Sequence, residues 1–93
     1  MSDRKIKYAE RQVDTDFATY CLMYELLVDE ITFYNSMLEL YGVGVHSESD
    51  ETVQDCEVHA VTSSGRKVYN ILEQLTDGSV FPGELEEILE NIL

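Results

Sequence analysis

Leu38-Glu39-Leu40-Tyr41-Gly42-Val43-Gly44-Val45-His46 is the most regular strand pattern in the chain. Tyr41, Val43 and Val45 fall on one face and Gly42, Gly44 and His46 on the other, as a period of two requires. Such a strand is half buried. Either its glycines line a bare, solvated side of a sheet, or something lies close against that side because no side chain stands in the way. A second alternating run follows: Cys56, Val58 and Ala60 share one face, and Asp55, Glu57 and His59 the other. Ser47-Glu48-Ser49-Asp50-Glu51 closes a hairpin between the two runs. Setting apolar beside apolar places Val43 opposite Cys56 and Tyr41 opposite Val58, hence Gly42 opposite Glu57 and Gly44 opposite Asp55. The turn then centres on Ser49-Asp50.

Working outward, residues 17–28 are nearly continuous apolar sequence, interrupted by Thr19 and Glu25. They fit a strand with Ala18, Tyr20, Leu22, Tyr24, Leu26 and Val28 on one face, and they equally fit a short helix. Residues 29–36 turn the chain, with Ile31, Phe33 and Tyr34 available to extend either flanking strand. Residues 1–16 read as an edge strand over residues 5–13, carrying Ile6, Tyr8 and, after a break in phase, Val13, in preference to a helix lined by Ile6, Ala9 and Val13, or as a poorly ordered lead. Asp14-Thr15-Asp16 is turn-like, and basic residues discourage edge-to-edge pairing.

After Val61 the period changes. Val68, Ile71, Leu72 and Leu75 form one helical stripe, with Thr62, Ser63 and Ser64 as candidate caps and Gly78 as a stop. Leu85, Ile88, Leu89 and Ile92 form a second stripe behind Pro82, which suits a first-turn position. The whole is predicted to be one α+β domain over residues 1–93: an antiparallel meander of about four strands, then two short amphipathic helices packed on one sheet face (ββββαα). The Tyr41, Val43 and Val58 face is the expected cover partner of the helices.

Ninety-three residues with 44% hydrophobic content suit one compact core. No run approaches the roughly 18 apolar residues of a membrane span, and the first ten residues are too charged for a signal peptide, so a soluble, cytoplasmic protein is expected. Nineteen Asp and Glu against six Lys and Arg give a net charge of -13, and four of the cations (Arg4, Lys5, Lys7, Arg11) lie at the start. A surface of that sign repels nucleic acid and anionic membrane. It favours solubility, and it attracts basic partners.

Spacing argues against chemistry. His46 and His59 share a sheet face with Asp55 and Glu57, which is metal-site material. In the expected register, however, they stand about six steps apart, roughly 20 Å, too far for one ion. Cys21 and Cys56 lack metal spacing and read as free, buried or half-buried thiols. Two strand spacings put their backbones about 9–10 Å apart, beyond the roughly 7 Å that a disulfide tolerates. Residues 62–67 gather hydroxyls, a glycine and two cations at a helix start, which makes Ser63, Ser64, Gly65, Arg66 and Lys67 a candidate anion site with Thr62 beside it. The full phosphate-loop pattern is missing. The acidic hairpin residues Glu48, Asp50 and Glu51 lack the ligand order of a calcium loop. No cofactor, no metal site and no catalytic residue are expected, and the chain is read as non-enzymatic.

Several short motifs carry a resemblance over about residues 20–93. They are Tyr41-Gly42-Val43, a polar hairpin, Val61-Thr62-Ser63 before the first helix, and a Pro-led acidic last helix ending Ile88-Leu89-Glu90-Asn91-Ile92-Leu93. In these the chain resembles a family of small uncharacterised bacterial proteins, number 6514 in the domain-of-unknown-function series. The resemblance implies the ββββαα order and supplies no activity. The family usually shows a Ser-Pro or Thr-Pro helix start and an Arg-Asp pair in the last helix. Here Phe81-Pro82 and Glu86-Glu87 stand instead, so any role of that pair is absent.

The functional expectation is protein association, first with a second copy. If the helices cover one sheet face, Phe17, Cys21, Met23, Leu27, Leu38 and Leu40 remain on the other, and an exposed apolar patch usually marks an interface. The alternatives are an acidic decoy or regulator for a basic, nucleic-acid-binding protein, and a binder of small anions or phosphometabolites at residues 62–67.

Overall fold

Strand β2 (Thr19–Phe33) is the centre of the core, and its partners decide that residues 19–28 are strand and not helix, with residues 17 and 18 in the loop before it. A lone helix there would bury one side and expose apolar residues on the others. In the sheet, Leu22, Tyr24, Leu26 and Val28 all point into the core from one face. The computed structural model describes residues 4–93. Strands β1 (Arg4–Asp14), β2, β3 (Ser36–Glu48) and β4 (Val53–Thr62) form one antiparallel sheet in the order β1-β2-β3-β4. Helix α1 (Gly65–Asp77) follows, and a 3-10 turn (Pro82–Glu84) leads into α2 (Leu85–Ile92).

The expected edge strand at the start is β1, which spans residues 4–14; residues 1–3 lie outside the described residues. The break in phase within β1 is a bulge between Lys7 and Ala9. Past it, Ala9 and Val13 return to the core face.

Both hairpins differ in detail from expectation. Residues 29–33 continue β2, and the turn is the pair Tyr34-Asn35, both with positive φ (49° and 62°), the conformation that a tight two-residue hairpin demands. In the β3–β4 hairpin Val43 faces Val58 and Val45 faces Cys56, two residues away from the predicted pairing, with Gly44 opposite Glu57 and His46 opposite Asp55. Alternation specifies only parity, and both registers set apolar beside apolar. The loop ends decide between them. The Ser49 N–H donates to the Thr52 carbonyl at 2.8 Å, and the Thr52 N–H donates to Ser49 Oγ at 3.2 Å, which centres the turn on Asp50-Glu51.

The sheet absorbs the difference further along. Tyr41 faces Thr62, so His59, Ala60 and Val61 together oppose Gly42, and Ala60 takes a left-handed φ of 56°. A Cβ on Gly42 would lie 2.8 Å from the His59 Cα and overlap the Val58 carbonyl oxygen. Something does lie close against this glycine: the backbone of the bulged strand next to it.

Ser64 caps α1 by accepting the Lys67 N–H at 3.2 Å, and Val68, Ile71, Leu72 and Leu75 are buried as the stripe requires. Gly78 ends the helix, but the left-handed residue there is Ser79 (φ 48°), after which the Val80 N–H returns to the Leu75 carbonyl at 3.1 Å. Glu84 holds the start of the 3-10 turn by accepting the Phe81 N–H at 3.1 Å. Both helices pack over the face that carries Leu22, Tyr24, Val43 and Val45, with Tyr41 and Val58 partly buried beside it. The Tyr24 hydroxyl donates to the buried Val80 carbonyl at 3.0 Å, tying the interhelix link to the central strand.

Candidate interaction surfaces

The sheet face away from the helices is crossed by a chain of charges. Lys5 on β1 reaches Glu57 on β4 at 2.6 Å, across three strand spacings that are usually about 14 Å. Gly42 and Gly44 make the crossing open, since no side chain of β3 stands between them. His59 continues the chain, with Nε2 3.2 Å from Glu57 and Nδ1 2.9 Å from Asp29 on β2. Leu27, with Lys5 and Gly42 as its strand neighbours, is only 1% exposed. A second pair, His46 with Asp55, lies further along the same face.

The six residues expected to form one patch are therefore divided. Leu27 is already buried within the chain. Phe17, 95% exposed, sits in the β1–β2 loop rather than on the sheet. Cys21 and Met23 lie on one side of the charged chain, and Leu38 and Leu40 on the other. Cys21 is exposed, contrary to the buried or half-buried reading, because its open-face position has no helix above it. Cys56 is half-buried as expected.

The uncovered apolar surface is instead the far end of the β2–β3 hairpin. β1 reaches β2 only as far as Arg4 opposite Val28, and β4 ends at Thr62 opposite Tyr41, so among the described residues 29–40 run on as a two-stranded arm. The molecule is correspondingly long, 53 × 24 × 18 Å. Phe33 (62% exposed), Tyr34 (87%) and Met37 (68%) crowd its tip, with Leu38 behind them and the Phe33 and Tyr34 rings in contact at 4.5 Å. The tip residues missed by sequence reading are Phe33, Tyr34 and Met37. Their signal was an eight-residue stretch, residues 31–38, without a charge.

The sequence model of a family described as a family of unknown function (DUF6514) matches residues 3–93. The chain belongs to this family. The DUF6514 match includes β1, which lay outside the expected resemblance. No curated protein and no solved structure matches the chain significantly.

Within this DUF6514 chain, the candidate anion site is organised as a helix cap. Ser64 Oγ takes the Lys67 N–H, and Thr62 Oγ1 takes the Ser64 N–H at 3.1 Å, so both hydroxyls serve the backbone. Ser63, Arg66 and Lys67 are exposed, and Gly65 has open space around it. The cations of β1 are engaged by acids: Arg4 with Glu39 at 2.9 Å, Lys7 with Glu10 at 2.5 Å, and Arg11 with Asp77 at 3.7 Å, besides Lys5 with Glu57. The described residues contain no grouping of three His, Cys, Asp or Glu suited to a metal ion. Among them no helix is long and apolar enough to cross a membrane. Burial, then Glu86 and Glu57, pushes the Cys56 thiol up from its ordinary value.

The histidine pairs make stability depend on pH in a definite direction. Hydrogen bonding to Asp55 raises the pKa of His46, and hydrogen bonding to Asp29 first, then Glu57, raises that of His59. The Lys5 contact, with help from His59, lowers that of Glu57. A raised histidine contributes fully below its unfolded value of about 6.5, and the contribution is lost as pH climbs through the folded value. The Glu57 contribution has the opposite sign, present above its unfolded value of 4.5 and lost on acidification. The cluster therefore stabilises most between these limits, by about 0.2–1 kcal/mol for each exposed histidine pair. Wild type should exceed the His46→Gln, His59→Gln double variant in thermal midpoint near about pH 5.5, with the gap closing by about pH 8. A gap independent of pH would show that the pairs do not titrate with folding.

Proposed function

We propose that this chain is a non-enzymatic protein-association domain, working in the cytoplasm, that pairs with a second copy of itself through the tip of the β2–β3 arm. The observation that carries the reading is Tyr34. It is bulky, 87% exposed and held at a φ of 49°, a conformation that costs a non-glycine residue about 1–2 kcal/mol. Asparagine or glycine would make this turn without that strain. A strained, solvent-facing aromatic at the apex of an uncharged arm has the character of a contact residue, since strain of this kind gathers at functional sites. Charge selects the occupant. Two copies at -13 each repel over most of their surface, whereas residues 31–38 bring no like charges together. Leu38 and Leu40, part of the patch expected from sequence, lie on this arm. The two free thiols agree with a reducing compartment.

Light scattering at micromolar concentration tests the reading. The wild-type particle should have twice the 10.6 kDa mass of one chain. Phe33→Ser with Met37→Ser should give single chains of unchanged thermal midpoint. Tyr34→Gly should weaken pairing while stabilising the single chain, a split that a purely structural role would not produce. A wild-type mass of one chain throughout the range ends the proposal.

A further inference from the structure

We propose a second, separate surface: a groove between β4 and α2 that takes an extended, basic segment of another protein as an added strand. β4 is an edge of the sheet, so every second residue turns its N–H and C=O away from β3, and residues 53–58 are regular before the bulge. Beside it lie two cavities of about 490 and 420 Å³, and Glu86 lines both. Cys56, Val58, Leu89 and Leu93 provide an apolar lining, and Glu86 and Glu90 the acidic one. No Lys or Arg lines either cavity.

The two sheet edges are built differently. β1 carries Arg4, Lys5, Lys7, Arg11 and a bulge, the devices that keep an edge from pairing. Beside β4 stand Glu86 and Glu90, which have no cation within ion-pair distance among the described residues, whereas Asp55 and Glu57 on the strand itself are already paired with His46, Lys5 and His59. These acids do not forbid pairing in general; they select by sign. A second β4 edge would set these carboxylates against their own copies. Of the chain's basic stretches, β1 has its four cations committed to internal acids, and Arg66-Lys67 lies within helix α1 and cannot add as a strand. The remaining occupant is a foreign strand that carries apolar and basic residues on the same face: its backbone adds to β4, and of the side chains it turns towards α2 the apolar ones meet Val58 and Leu89 and the basic ones Glu86 and Glu90.

The probe is a synthetic octapeptide with Val and Lys in turn at every second position and Thr between them, titrated into the full chain carrying Cys21→Ser, so that Cys56 alkylation reports occupancy. Binding should slow that alkylation, and its affinity should fall on the order of tenfold when salt rises from about 50 to 200 mM. Glu86→Gln with Glu90→Gln, both exposed positions outside the core, should weaken binding by a similar factor. A peptide N-methylated at alternate residues, unable to form the ladder, should bind at least about tenfold more weakly. The same peptide with Glu in place of each Lys should not bind. The proposal is overturned if Cys56 is not protected, if the double variant binds undiminished, or if the N-methylated peptide binds equally well. It is also overturned if rising protein concentration alone protects Cys56, since the occupant is then a second copy.

Discussion

Alanine at Gly42 is expected to destabilise the fold by about 3 kcal/mol or more, a change that a denaturant midpoint reads directly. The added Cβ would meet the Val58 carbonyl oxygen and the His59 Cα, and both atoms are backbone, so no rotamer change can relieve the overlap. Relief requires the bulge at residues 59–61 to move, and with it the pairing of Tyr41 with Thr62. Two neighbouring substitutions make the comparison sharp. A Cβ on Gly44 meets only the Glu57 side chain at 3.5 Å, the Leu27 side chain at 3.7 Å and a backbone oxygen at 3.8 Å, all ordinary contacts. Gly44→Ala should therefore stay within about 1 kcal/mol of wild type. Ala60→Gly should stabilise by about 1 kcal/mol, because Ala60 occupies a left-handed φ of 56° that glycine adopts without penalty. If Gly42→Ala and Gly44→Ala had equal midpoints, the close approach at the bulge would not be a constraint.

Tyr24→Phe is expected to cost about 1–3 kcal/mol, since it leaves the buried Val80 carbonyl without the phenol donor that now sits 3.0 Å away. The ring itself is fully buried in the core, so phenylalanine keeps the packing and the loss isolates the hydrogen bond. Burial also pushes the Tyr24 hydroxyl up to about 12. The stability tied to that shift is complete below the ordinary tyrosine value of 10.0 and declines as pH rises towards about 12. The wild-type chain should lose stability across this alkaline range, and Tyr24→Phe should lose less. Because Val80 sits between the helices, the variant should also exchange amide hydrogens faster across residues 79–85 than in β2. Uniform acceleration would mean that the bond supports the whole fold and not the docking of this link.

The β3 alternation, the two helical stripes, the Ser64 cap and Pro82 at its first-turn position were legible because each is a local pattern with a fixed period or a fixed backbone requirement. What local pattern could not resolve was any choice between arrangements equal in local terms. Residues 17–28 are apolar enough for a buried strand or a buried helix, and only the strands on both sides settle the matter. The β3–β4 register was determined to parity and missed by two residues, because Val43 pairs as well with Val58 as with Cys56. The expected open-face patch assumed that each apolar side chain on that face stays uncovered. The long Lys5 side chain, reaching a strand three places away, could not be inferred from alternation.

By itself the sequence determined a β3–β4 hairpin followed by two helices, the side of those strands that meets the helices, and a surface with a strong excess of negative charge. All three follow from residue type and short-range spacing. Tertiary structure alone decided that Gly42 is a point of backbone contact and Gly44 a clearing beneath an ion pair, though the two glycines look alike in a strand of period two. The difference arises on β4, where three residues crowd past one glycine while the other faces a single flexible glutamate. Tertiary structure also decided that the exposed apolar surface lies at the arm tip, because the neighbouring strands stop short of it.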